Sequence, residues 1–61
     1  MTYGELKRQL KKSGCWILRE GGNHEIWYSP ITGKQFPVGR HTKEEVPRGT
    51  LNSIKNAAGL R

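Results

Sequence analysis

The sequence contains no aspartate and a single cysteine, Cys15, among its 61 residues. One cysteine excludes an internal disulfide, and together with the two histidines it provides too few ligands for a zinc site. Metal-dependent nucleases and phosphatases hold Mg²⁺ or Mn²⁺ with clusters of carboxylates, whereas the five glutamates here are scattered along the chain. We therefore expect no metal ion, and the lone thiol is typical of a cytoplasmic protein.

Long apolar segments are also missing. No stretch approaches the ~20 apolar residues that cross a bilayer, and the first part of the chain has no signal-peptide pattern. The length leaves room for one domain, residues 1–61, but not for the crevice and glycine-rich turn that a flavin or dinucleotide requires. These absences predict a cytoplasmic protein without membrane contact or cofactor, whose chemistry takes place on an open surface.

Positive charge is abundant. The chain has 11 lysines and arginines against 5 glutamates, which gives a formal net charge of +6. Such a surplus attracts polyanions, and nucleic acid is the commonest polyanion in the cytosol. The same charge also suits simple solubility or an acidic protein partner. Composition thus favours a nucleic-acid binder and leaves these two alternatives open.

Two helices are predicted, one at each end of the chain. Thr2 and Glu5 form a capping-box pattern in front of apolar residues that recur every three or four positions, which predicts a helix over Tyr3–Lys12. Gly14 follows where a left-handed residue commonly ends a helix. The same apolar spacing after a proline predicts a second helix over Pro47–Ala58.

Between the helices the pattern predicts three strands, over Cys15–Arg19, His24–Ser29 and Lys34–Val38, separated by glycine-containing turns at 21–23 and 30–33. The alternation in the second strand does not decide which of its sides is buried. Because both helices need a partner for their apolar stripes, we expect an α+β fold of order α-β-β-β-α, with both helices on one face of a three-stranded antiparallel sheet.

His24 is the candidate catalytic residue. Without a metal ion, RNA can be cut by its own 2′-hydroxyl if one group removes the proton and another steadies the phosphate charge. Histidine as a residue type, with an ordinary pKa of about 6.5, both accepts and donates protons near neutrality. His24 follows a Gly-Gly-Asn turn whose small residues let a phosphate backbone approach, although a histidine at a strand end can also be simply a polar residue. His41, in a polar loop, is a weaker second candidate.

Three segments together resemble a known family. Residues 22–24 (Gly-Asn-His), 37–41 (Pro-Val-Gly-Arg-His) and the tail from 46 to 60 are similar to the HicA toxins of bacterial type II toxin–antitoxin systems. The resemblance implies a fold like the double-stranded RNA-binding domain and the activity of a ribosome-independent mRNA interferase. Many members carry serine at the position of Asn23, where this chain departs from the common pattern.

The resemblance also implies the site and the partners. His24 matches the family's essential histidine, as either the base for the 2′-hydroxyl or the acid for the leaving oxygen. The implied partners are mRNA and a HicB antitoxin that covers the catalytic face, whereas the toxin itself does not read DNA sequence. The basic face of the first helix and the end of the third strand are the predicted RNA contacts: Lys7, Arg8, Lys11, Lys12, Arg40 and His41.

Two other classes of protein fit the same composition. A noncatalytic double-stranded RNA-binding module explains the fold and the charge but gives His24 no role. A purely protein-binding module predicts no salt-dependent RNA affinity. Aromatic side chains can stack on bases, but we expect at least half of the following four to lie in the core: Trp16, Trp27, Tyr28 and Phe36.

Overall fold

Five elements follow one another in the order helix, three strands, helix in a computed structural model that describes residues 1–60. The strands form one antiparallel sheet of order β1-β2-β3, so that β2 is central. This confirms the predicted α+β class and element order. The elements are α1 (Tyr3–Lys12), β1 (Trp16–Glu20), β2 (His24–Ser29), β3 (Lys34–Gly39) and α2 (Arg48–Ala58).

Helix α1 begins and ends where the sequence predicts, with a capping box at its start and a left-handed glycine after its end. At its start the Thr2 hydroxyl accepts a hydrogen bond from the backbone of Glu5, and the Glu5 carboxylate accepts one from the backbone of Thr2, which completes the capping box. At its end Gly14 has φ 94°, and the Cys15 N–H donates to the Leu10 carbonyl at 3.0 Å. This bond ties Cys15 to the helix end.

The bounds of β2 and the end of α2 are as predicted, whereas the bounds of β1, the end of β3 and the start of α2 differ from the predictions by one residue. Because Cys15 completes the end of α1, β1 begins at Trp16 and runs to Glu20 rather than covering Cys15–Arg19. β3 continues to Gly39, which pairs with the first residue of β2. Pro47 precedes α2 as its N-cap, with an extended ψ of 144°, instead of occupying the first helical position.

Strand pairing decides which face of the sheet is buried. Trp27 in β2 pairs with Phe36 in β3, and both side chains are buried beneath the helices. Since side chains alternate along a strand, His24, Ile26 and Tyr28 project from the opposite side, here called the open face. Hence Trp27 and Phe36 belong to the core, and half of the four aromatic residues considered for base stacking are buried there, as expected.

Both helices pack on the buried face of the sheet, as predicted. They contribute to a single cluster with β2 and β3, whereas all five residues of β1 are exposed. The Ser29 hydroxyl donates to the Ala58 carbonyl at 2.6 Å and links the end of β2 to α2. The buried apolar residues are Leu6, Leu10, Cys15, Trp27, Phe36, Val38, Val46, Ile54 and Ala58.

Backbone hydrogen bonds hold the loop between β3 and α2 against the start of α1. The N–H groups of Tyr3 and Gly4 donate to the carbonyls of Glu44 and Thr42, each at 2.9 Å. The loop therefore lies beside α1 at the end of the sheet where β2 begins and β3 ends. This arrangement brings together two segments that are distant in sequence, the basic helix and residues 40–46.

Candidate active site

His24 stands at the exposed first position of β2, directly after the turn formed by residues 21–23. The turn is closed by a hydrogen bond of 2.8 Å from the Gly21 N–H to the His24 carbonyl. Opposite His24 in the ladder is Gly39, the last residue of β3. The backbone of His24 is therefore fixed on both sides while its imidazole faces solvent.

Arg40 holds the turn that precedes His24. Its Nη1 donates to the carbonyl oxygens of both Gly21 and Gly22, each at 3.1 Å. Its Nη2 lies 4.0 Å from a carboxylate oxygen of Glu20, and because both side chains are exposed this ion pair contributes little stability. The guanidinium thus fixes the turn and places a positive charge beside it, with the N–H groups of Nε and Nη2 as further donors.

An open cleft of about 360 Å³ lies next to the turn and is lined by Gly22, Asn23, Arg40 and His41. The structure therefore brings two of the predicted site residues, Arg40 and His41, to the segment that carries His24. The glycine leaves part of the cleft wall without a side chain. The Arg40 guanidinium lines the cleft, and His24 directly follows Asn23 in the chain but does not itself line it.

The side chain of Lys7 lies next to this site, where it contacts residues of β2 and of the loop after β3. Its Nζ is 3.0 Å from Oε1 of Glu25 and also donates to the Arg40 carbonyl at 3.3 Å. The indole N–H of Trp27 donates to the same Glu25 oxygen at 3.2 Å. The side chains of Lys7 and Glu25 are each only 12% exposed. Sequence patterns gave no signal for this network, because its members come from different elements, and RNA contact by Lys7 stays a prediction.

The other cations of α1 divide between two sides of the molecule. Arg8 and Lys11, together with part of Lys7, line a second open cleft of about 280 Å³ with Gly4 and Thr42, the residue that follows His41. Lys12 instead lines a separate depression with Lys55 of α2. Arg8 and Lys11 therefore continue the positive surface away from the His24 site, whereas Lys12 faces elsewhere. Whether each of them contacts RNA stays a prediction.

Residues 1–60 contain neither a cluster of metal ligands nor a helix that could span a membrane. In that range no three histidine, cysteine or acidic side chains lie close enough together to hold a metal ion. Among the same residues neither helix has the length and apolar character needed to span a bilayer.

A comparison with protein-family models gives one match. The model described as HicA toxin of bacterial toxin–antitoxin covers residues 3–60 of the 61-residue chain. The chain belongs to the HicA toxin family. Searches of curated proteins and of solved structures each found no match. This HicA protein is therefore a toxin of a toxin–antitoxin system, which implies an antitoxin as its partner.

The family match spans the site described above. Its limits include both helices, the whole sheet, and the turn and loop that carry His24, Arg40 and His41. HicA toxins are in general ribonuclease-type toxins.

Proposed function

We propose that this HicA toxin is a ribosome-independent mRNA interferase that cleaves mRNA without a metal ion, with His24 as its single essential histidine. The observation that carries the proposal is the position of His24: an exposed imidazole on a turn that Arg40 fixes through two carbonyls, beside a cleft lined by Arg40 and His41. By cutting mRNA the toxin inhibits translation and growth in the cytoplasm.

The chemistry needs only the substrate, these side chains and solvent water. The 2′-hydroxyl oxygen of one nucleotide attacks the adjacent phosphorus, and the bond from phosphorus to the 5′-oxygen of the next nucleotide breaks. One proton leaves the 2′-hydroxyl and one arrives at the 5′-oxygen. His24 performs one of these transfers, as base or as acid, and a water molecule performs the other. Arg40 stabilises the negative charge that develops on the phosphoryl oxygens, since preorganised cationic donors act most strongly on such charge.

Charge on the surrounding surface supports a polyanionic substrate. Arg8 and Lys11 lie in the neighbouring cleft with Thr42, next to the loop that carries His41. We propose that these cations contact phosphates on either side of the cleaved bond. Phosphate contacts of this kind raise affinity without reading base sequence.

The antitoxin partner that the family implies is, in our proposal, a HicB protein. It binds the face that carries His24, and acidic groups at the contact compensate the basic surface of the toxin. DNA recognition by the complex belongs to the antitoxin, so the toxin itself reads no DNA sequence. Bound in this way, HicB excludes RNA from the site.

The test is cleavage of a single-stranded RNA by the purified protein without ribosomes. We expect wild-type cleavage to survive a chelator and to fail on a substrate whose 2′-hydroxyls are replaced by hydrogen. His24→Ala should remain folded and bind RNA but lose a factor of about 10² to 10⁴ in rate. His41→Ala is the matched control, and it should retain cleavage at saturating RNA.

Three results would contradict the proposal. Loss of wild-type cleavage in the chelator would indicate a metal ion, and an unfolded His24→Ala protein would indicate a structural role for the histidine. If wild-type and His24→Ala proteins bind RNA equally and neither cuts it, the protein is a noncatalytic RNA-binding module of the same fold.

A further inference from the structure

The open face of the sheet has a composition unlike that of the buried face. Residues that pair across neighbouring strands lie on the same side of a sheet. The pairings of β1 with β2 and of β2 with β3 therefore assign residues to the open face, and none of these residues is acidic. One end of this face carries His24, and the other carries two aromatic rings. A bulge in β1 between Ile17 and Arg19 places both Leu18 and Arg19 opposite Ile26. The members of the open face are Trp16, Leu18 and Arg19 from β1, His24, Ile26 and Tyr28 from β2, and Gln35 and Pro37 from β3.

The two rings belong to Trp16 and Tyr28, which are direct partners across β1 and β2. Their centroids are 5.0 Å apart, and the ring planes are inclined by 43°. Trp16 remains 47% exposed, in contrast to the fully buried Trp27. Since β1 contributes no buried residue, the hydrophobic core does not account for this tryptophan.

Charge and distance connect the aromatic pair to the candidate active site. Arg19 pairs with Ile26, so its position lies between the rings and His24 on the same face. Tyr28 and His24 are four residues apart on β2, which corresponds to about 13 Å along the strand. A few unpaired nucleotides span this distance. Aromatic rings interleaved with cations are the features by which proteins bind single-stranded nucleic acid.

We propose that the Trp16–Tyr28 pair is a base-stacking site for single-stranded RNA, which runs along β2 across the open face to the phosphodiester at His24. The inference rests on the proposed function and adds a substrate requirement: an unpaired base at a fixed distance from the cleaved bond. The surface is continuous with the His24 site, and Arg19 gives it a positive charge with no acidic partner among the open-face residues, so a polyanionic strand fits it. Base pairing at that position would prevent stacking and therefore binding.

Binding of two labelled oligonucleotides tests the proposal. Both are short, single-stranded and 2′-O-methylated, so that they have no attacking hydroxyl, and one is abasic throughout. We expect wild-type protein to bind the oligonucleotide with bases about 10-fold or more tightly than the abasic one, a ratio typical of stacking on one aromatic residue. Trp16 fluorescence should be quenched only by the oligonucleotide that carries bases.

Variants of β1 separate stacking from general effects. Trp16→Leu should bind the two oligonucleotides equally weakly, with an unchanged dependence of affinity on salt, because it removes no charge. Trp16→Phe should recover most of the preference for bases. The matched control is Ile17→Ala, which changes an exposed apolar residue of the same strand whose partner, Trp27, faces the core. This control should keep the wild-type preference.

Equal affinity of the wild-type protein for both oligonucleotides would overturn the proposal. So would a Trp16→Leu variant in which both affinities fall by the same factor, because the preference for bases would then be retained without Trp16. If Trp16→Leu retains RNA binding and loses only binding to an antitoxin, the open face is a protein-docking surface instead. The proposed function fails separately: if His24→Ala still cuts RNA, the catalytic assignment is wrong whatever the oligonucleotide affinities are.

Discussion

At the scale of single residues, Glu25 organises the region beneath the candidate active site. The Glu25 carboxylate forms an ion pair with the Lys7 ammonium of α1 and accepts a hydrogen bond from the indole N–H of Trp27 in the core. Glu25 also directly follows His24 in the chain. Lys7 also donates to the Arg40 carbonyl. The same lysine that the sequence predicts as an RNA contact therefore joins α1 to both segments that form the site.

This arrangement predicts that Lys7 acts on stability more than on RNA binding. Lys7→Met should lower the free energy of unfolding by about 1–3 kcal/mol, because it leaves the largely buried Glu25 carboxylate without its cation. Lys11→Met removes an exposed lysine of the same helix and should change the free energy by less than about 0.5 kcal/mol. Urea denaturation measures both. Equal stability of the two variants, with a weaker salt dependence of RNA binding in Lys7→Met, would instead make Lys7 a phosphate contact.

At the scale of elements, the start of α1 responds to pH through its capping box. The backbone N–H and the hydroxyl of Thr2 both donate to the Glu5 carboxylate, and they lower the pKa of Glu5 below its ordinary value of 4.5. A lowered pKa in the folded state means that the stabilisation is present above pH 4.5 and is lost as the pH falls through the folded-state pKa.

We therefore expect the free energy of unfolding to decline below about pH 4.5, where protonation of Glu5 contributes to the loss. The decline should be smaller in Glu5→Gln, which has no carboxylate to protonate. Glu44→Gln, a change in the exposed loop after β3, is the control and should keep the wild-type decline. Urea denaturation at a series of pH values tests this. Identical pH profiles for wild type and Glu5→Gln would show that the capping box contributes nothing to the pH dependence of stability.

The same elements show how far sequence alone predicts this fold. The ends of α1 follow from local signals, Thr2 with Glu5 and Gly14, and were predicted correctly. The buried side of β2 was not decided, because each side of that strand mixes polar and apolar residues, and only pairing with Phe36 and packing under the helices select Trp27.

The candidate site was predictable only in part, for a similar reason. A histidine after a glycine-rich turn is visible in the sequence, and so is the basic segment around Arg40. The hydrogen bonds from Arg40 to two turn carbonyls are not visible, because they join residues 18 and 19 positions apart through the folded backbone. Sequence thus indicates the chemical groups, whereas the fold determines which of them meet.

At the scale of the whole molecule, the net charge of +6 combines charges that are paired within the fold with charges that are exposed. Glu5 lies in the helix cap, and Glu25 pairs with Lys7 beneath the sheet. Arg8 and Lys11 line an open cleft near the His24 end of the sheet. Glu20, Glu44 and Glu45 are exposed at the same end, and Glu20 lies 4.0 Å from Arg40, so an RNA strand meets acidic as well as basic groups there and depends on local contacts with particular cations.

This distribution predicts how RNA affinity depends on salt. For single strands, the logarithm of affinity falls with the logarithm of salt concentration by a slope of about 0.7 for each phosphate that the protein neutralises. Arg8→Gln should reduce that slope by about 0.7. Lys55→Gln makes the same change in net charge on α2, which packs on the buried face of the sheet away from both His24 and the Trp16–Tyr28 pair, and should leave the slope unchanged. If both variants reduce the slope equally, RNA responds to total charge, and the cations near His24 form no defined path to the site.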